Sequence, residues 1–141
     1  MPYVDTSVLV AYYCPEPLSQ QAQAFLLEQE SPAVSSLTEV EFFSAVARKV
    51  RTEEIGKVDG NRIIAQFSAH LDGGLYIQLP VHNHHWRLAR GWIGLFTAPL
   101  RTLDALHLAI ASAEGLTMVT SDRALHQAAN SMGVDAKLLQ G

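Results

Sequence analysis

Cysteine is nearly missing from this chain: Cys14 is the only one in 141 residues. A lone thiol excludes a disulfide framework and a cysteine-built zinc site, and it fits a reducing compartment. No apolar run approaches the roughly 20 residues that a membrane span requires. The amino terminus has no basic segment leading into a long apolar one, so no secretory signal is expected. Positive charge is also scarce. Ten Lys and Arg stand against fourteen Asp and Glu, a net charge of −4. That balance argues against nucleic-acid binding through bulk positive potential, although bound divalent cations or a second subunit would change the local field. Repeats, linkers and low-complexity tracts are lacking, so residues 1–141 are expected to form one domain. With 48% apolar and 17% charged residues, the composition is that of a globular protein, here expected to be cytoplasmic.

What is present is an alternation of short apolar runs and helical periodicities. Pro2 to Asp5, Pro32 to Ser35, Leu75 to Leu79, Leu116 to Thr120 and Val134 to Leu138 read as short strands. Between them, helices are predicted over 8–13, 19–30, 37–51, 59–71, 82–96, 102–114 and 122–132. The helix over 37–51 carries an apolar stripe of Val40, Phe43, Ala47 and Val50. The next is predicted to turn Ile63, Ile64 and Phe67 inward. The helix over 102–114 has Leu103, Leu106, Ile110 and Ala113 on one side, and Gly115 sits where a helix ends in a left-handed residue. Most strands lie too far apart for hairpins, so right-handed crossovers and a mostly parallel sheet follow. The expected fold is α/β: a three-layer α/β/α sandwich with four or five strands. Ligands bind such sheets outside the carboxyl ends of the strands.

Four carboxylates sit where the chain leaves a strand or enters a helix, and two of them, Asp5 and Asp122, fall at such ends. Asp5 follows the first strand, Glu41 lies early in the helix over 37–51, Asp104 opens another helix, and Asp122 follows the fourth strand. Each has a structural explanation. Asp is a favoured N-cap at the positions of Asp5 and Asp122, worth about 1 kcal/mol. Asp104 in a first turn complements the helix dipole. Glu41 stands three residues after Thr38, and Glu39 three after Ser36, both with capping-box spacing. Capping does not require the acids to face one another, however. If they converge, repulsion raises some of their pKa values unless a cation is present. An all-oxygen donor set suits Mg²⁺ or Mn²⁺, which can supply a water nucleophile for phosphodiester hydrolysis.

Four segments, in order, carry a family resemblance: P-Y-V-D-T-S-V-L-V at 2–10, the stretch at 35–51 containing T-E-V-E-F-F-S-A, L-R-T-L-D-A-L-H-L-A-I-A at 100–111, and V-T-S-D-R-A-L at 119–125. Together they resemble the PIN-domain family, and more narrowly the VapC-type toxin ribonucleases of toxin–antitoxin pairs. The resemblance implies Asp5, Glu41, Asp104 and Asp122 as catalytic, metal-binding acids. Glu41 fits the pattern better than Glu39, which periodicity alone does not separate from it. Thr6 and Ser121 are implied as supporting hydroxyls. Also implied are Mg²⁺- or Mn²⁺-dependent endoribonuclease activity, a homodimer, and inhibition by a small cognate antitoxin protein. Arg48, Arg87, Arg90 and Arg101 are weaker candidates for steering RNA phosphates.

Other residues invite different chemistry. His82, His84 and His85 suggest zinc, but no Cys or H-E-x-x-H helix accompanies them, so an exposed helix start or part of an RNA or partner surface is expected instead. His107, one turn beyond Asp104, either touches the acids or packs in the core. Trp86 and Trp92 could stack on bases, with burial in a dimer interface or in the core the preferred reading. Two rival functions stand beside the nuclease. A receiver-type phospho-acceptor would need an Asp after the third strand, which ends Leu79-Pro80. A non-catalytic RNA-binding or regulatory module would keep the acidic pocket without turnover.

Overall fold

Asp5 ends a strand and begins a helix in a single step, and this junction recurs through the molecule. The computed structural model describes residues 1–141. Strand β1 (Pro2–Val4) runs into α1 (Thr6–Tyr13), with Asp5 as N-cap accepting from the Ser7 N–H. Then follow α2 (Ser19–Leu27), β2 (Ala33–Ser35), α3 (Ser36–Arg51), α4 (Lys57–Asp72), β3 (Ile77–Leu79) and α5 (Asn83–Ile93). The chain closes with α6 (Thr102–Ala113), β4 (Thr117–Thr120), α7 (Arg123–Ser131) and β5 (Ala136–Leu138). No helix is long and apolar enough to cross a membrane.

All five strands are parallel, in the order β3-β2-β1-β4-β5. The chain steps outward from β1 to β3, then crosses back to lay β4 on the other side of β1. That reversal opens a crevice outside the carboxyl ends of β1 and β4, where ligands bind sheets of this kind. Successive residues on a strand point to opposite faces. Tyr3, Ala33 and Met118 therefore enter one core with Leu106, Ile110 and Leu125, while Val4, Val34 and Val119 enter the other with Leu9, Phe42 and Phe67. The result is the expected three-layer α/β/α arrangement.

Five local expectations need correction. On α3 the buried residues are Thr38, Phe42 and Val46, whereas Val40 is 70% and Phe43 41% exposed. The helix has apolar residues on two faces, and neighbouring rings chose between them. Phe42 packs with ring centroids 4.5 Å from Phe67 and 5.4 Å from Tyr13. The capping box of α3 is Ser35 with Thr38, so neither Glu39 nor Glu41 serves it. On α6, Leu106 and Ile110 are buried but Leu103 and Ala113 are exposed. Every residue from Ala105 to Ala111 is buried, so this helix is enclosed all round rather than amphipathic. Ile64 of α4 is only half-buried, and α5 stops at Ile93 instead of Phe96. Gly115 closes α6 as expected: at φ 68° it donates to the Ser112 carbonyl, and Leu116 donates to that of Ala111.

Candidate functional site

Hydroxyls adjacent in sequence to the strand ends hold the first acid. Asp5 is buried, and its Oδ2 accepts from the Ser7 hydroxyl at 2.7 Å and the Thr120 hydroxyl at 2.8 Å. Its Oδ1 lies 3.8 Å from Nε2 of His107. Asp122 caps α7, its Oδ1 accepting from the N–H groups of Ala124 at 2.9 Å and Leu125 at 3.2 Å. Glu41, early in α3, receives the Thr6 hydroxyl at 2.7 Å and His107 Nε2 at 2.5 Å, both on Oε1. Asp104, in the first turn of α6, accepts no hydrogen bond from the protein, and Arg101 Nε stands 4.0 Å from its Oδ2.

All four acids line one cleft of about 850 Å³, with His107 at its wall and Arg48 and Lys49 further along. Capping and convergence thus coexist. Asp5, Glu41 and Asp122 each commit one carboxylate oxygen to donors on the protein, and the second oxygen takes none. Burial pushes the Asp104 pKa up, and the charges of Asp122 and Asp5 push it further. Like-charge coupling of this kind requires the acids to lie near one another. Burial would raise Glu41 too, but the His107 bond and charge and the Thr6 hydroxyl outweigh it and leave it below the ordinary value. Burial pulls His107 down, yet Glu41, Asp5 and Asp104 together leave it raised. A crowded set of oxygen donors with unrelieved negative charge fits a hard divalent cation.

Hydroxyls reach two of the four acids. Thr6 does reach Glu41, but Ser121 contributes its backbone N–H to Ser7, while the hydroxyls on Asp5 belong to Ser7 and Thr120. Both stand two positions from an acid, Ser7 after Asp5 and Thr120 before Asp122, the spacing of local side-chain turns. Arg48 lines the cleft and Arg101 stands at its edge. Arg87 and Arg90 lie on α5, where Arg90 borders a separate small pocket with Trp86 and Ile93. Trp86 is half exposed, Trp92 packs against a core, and Cys14 is buried.

A second cluster arises where α5 begins beside the end of α6. Donor atoms of His84, His85 and Glu114 lie within 4.8 Å of one another, a spacing able to admit a divalent cation. Sequence spacing could not supply Glu114, which comes from a different helix. His85 nevertheless accepts the His82 N–H on Nδ1 at 2.9 Å and faces Glu114 with Nε2 at 3.0 Å. The neutral ring then carries its proton on Nε2, leaving His84 and Glu114 as the free donors. Two donors hold a cation weakly, and they are not part of the acidic cleft.

A parallel α/β/α sheet with an acidic, oxygen-rich cleft at its topological switch point defines the class of this molecule. Within that class the chain belongs to the PIN-domain family, whose pattern matches residues 3–131. Similar solved structures include VapC20 of Mycobacterium tuberculosis, described as a Sarcin-Ricin loop cleaving toxin (TM-score 0.75, 16% identity, 91% of this chain and 95% of that one). DNA-bound VapBC from Salmonella typhimurium is similar over 99% of this chain and 98% of that one (TM-score 0.73, 15% identity). FitAcB from Neisseria gonorrhoeae matches with TM-score 0.70 and 19% identity over 96% of each chain. At these identities the likeness is one of fold. No curated protein matches the sequence significantly.

Proposed function

We propose that this chain is a Mg²⁺- or Mn²⁺-dependent endoribonuclease, and that it is the toxin of a toxin–antitoxin pair. The observation that carries the first part is the convergence of Asp5, Glu41, Asp104 and Asp122 on one cleft, with Asp104 perturbed by Asp122 and Asp5. One or two divalent cations at these oxygens would supply an activated water and take up charge on the leaving oxygen. The protein's own part is orientation. Ser7 and Thr120 fix Asp5, the N-terminus of α7 fixes Asp122, and Thr6 with His107 fixes Glu41. Asp5, Asp104 and Asp122 are proposed to bind the cation, and Glu41 to align the water or bind a second ion. Arg48 and Arg101 beside the cleft, with Arg87 and Arg90 on α5, are proposed to steer RNA phosphates toward it.

The toxin reading is supported by the family and by the roles described for the similar structures. It brings with it a small antitoxin partner, a homodimer and a cytoplasmic site of action, with residues 1–141 working as one domain. Cleavage of RNA by the purified chain with Mg²⁺ or Mn²⁺ should be abolished in Asp5→Asn and by excess chelator. Full activity in either case rejects the mechanism. Mn²⁺ binding by calorimetry without any cleavage would favour a non-catalytic module instead. Co-expression with an adjacent small open reading frame should relieve growth arrest. Toxicity indifferent to that neighbour rejects the toxin assignment and leaves the nuclease assignment standing.

A further inference from the structure

One buried polar chain links the start of α3 to its second turn by way of two other elements. The Tyr3 hydroxyl on β1 lies 2.9 Å from the Ser35 hydroxyl and 3.3 Å from that of Thr38, the two residues that cap α3. On its other side it meets His107 Nδ1 at 2.6 Å. His107, 1% exposed, then reaches Glu41 Oε1 through Nε2. Thr6 closes on the same oxygen. Both donors therefore fall on Oε1, and Oε2 accepts no hydrogen bond from the protein. Glu is a long side chain that loses much rotamer freedom when it is ordered. Here it is ordered in advance by two donors, one of them anchored through a phenol to the cap of Glu41's own helix.

We propose that His107, braced by Tyr3, is a positioning residue that pins Glu41 by Oε1 and reserves Oε2 for the divalent cation or its water. This inference rests on the nuclease reading of the cleft. Fixing a ligand's geometry before the ion arrives avoids the cost of ordering it on binding. Partners of this kind, one bond removed from a metal, typically change its affinity 10–100-fold when lost. Two rival roles lead to other results. A histidine that merely fills the core would leave ion affinity unchanged when replaced. One that serves as a resident counter-charge would, on removal, make the ion bind more tightly.

The test is Mn²⁺ affinity by titration calorimetry, with RNA cleavage at saturating Mn²⁺ as a second readout. His107→Leu should weaken Mn²⁺ by at least about tenfold. His107→Gln, which keeps an N–H near the place of Nε2 without a charge, should recover most of that loss. Tyr3→Phe, which leaves the imidazole in place but unbraced, should weaken Mn²⁺ by a smaller factor. It also decides the matter if His107→Leu does not fold. Unchanged or tighter binding in His107→Leu, or in Tyr3→Phe standing in for it, overturns the proposal while wild-type binding and cleavage uphold the nuclease reading. So does failure of His107→Gln to recover affinity above that of His107→Leu. A wild-type protein that neither binds Mn²⁺ nor cleaves RNA overturns both.

Discussion

His107 in α6 and His85 in α5 are both buried, and each sets Nε2 against a carboxylate, Glu41 for the first and Glu114 for the second. Burial pulls both rings toward neutrality. His107 still ends above its ordinary value because Glu41, Asp5 and Asp104 all face it. His85 ends below because the bond to its one acid is opposed by burial and by the neighbouring rings of His84 and His82. Their Nδ1 partners differ as well. The Tyr3 hydroxyl can donate or accept, whereas the His82 backbone N–H can only donate. His107 can therefore take a second proton without losing a bond, and His85 cannot. The same residue pair thus serves an acidic cleft in one place and pins two helices together in the other.

The largest expected difference is catalytic. Asp104→Asn, beside His107, should reduce Mn²⁺-dependent RNA cleavage by at least about 100-fold, the loss typical for removing a preorganised electrostatic group. Glu114→Gln, beside His85, should stay within about twofold, as for most surface changes. Comparable losses in the two variants would erase the distinction. For stability the order reverses. His85→Ala leaves a cavity and an unpaired His82 N–H, and should cost about 2–3 kcal/mol in urea unfolding. Tyr3→Phe removes only a hydroxyl and should cost about 1 kcal/mol. If Tyr3→Phe proves the more damaging, His85 is not the structural pin.

Proton linkage separates the pairs further. The folded pKa of His107 is raised, so its contribution is complete below the unfolded value of 6.5 and is lost as pH climbs through the folded value. His85 is lowered, so it costs stability as pH falls from 6.5 toward its folded value. Glu41 contributes above 4.5 and loses that contribution as pH falls through its folded value. Thermal midpoints of metal-free protein across mildly acidic to neutral pH should therefore peak at higher pH in His107→Gln and at lower pH in His85→Gln. Shifts in the same direction would show that the two environments do not differ as described. The smallest effect concerns Asp104 alone. Its raised pKa means that ionisation above 3.8 costs stability, so Asp104→Asn should raise the metal-free midpoint by a few degrees near neutral pH. Added Mn²⁺ should then stabilise wild type more than the variant. An unchanged midpoint in Asp104→Asn would mean that the acids do not strain one another.

Much of the scaffold was legible because its signals are local. Strands β1, β2 and β4 are short, largely apolar runs that lead into a capping residue and a helix, and Asp5, Asp122 and Gly115 sit where backbone chemistry wants them. What failed was the choice of face on α3. Val40 and Phe43 match helical periodicity as well as Phe42 and Val46 do, and only Phe67 and Tyr13 across the core favour the second set. The second histidine cluster was half visible for the same reason. His84 and His85 are neighbours in sequence, but Glu114 joins them only because the end of α6 packs beside the start of α5. Ser7, Thr120 and Ser121 all flank the acids in sequence, and only the register of β1 against β4 turns the Thr120 hydroxyl, and not that of Ser121, onto Asp5.

The sequence alone determined the alternation of strands and helices, and hence a parallel sheet whose carboxyl edge carries Asp5 and Asp122. It did so because periodicity and capping act over a few residues. Only the tertiary structure decided that Glu41 and Asp104 reach the same cleft, and that Asp104 is strained by Asp122 and Asp5. It alone decided that His107 ties Glu41 to Tyr3. Those relations join residues up to 104 positions apart, and the crossing of the chain from β3 back to β4 brings them together.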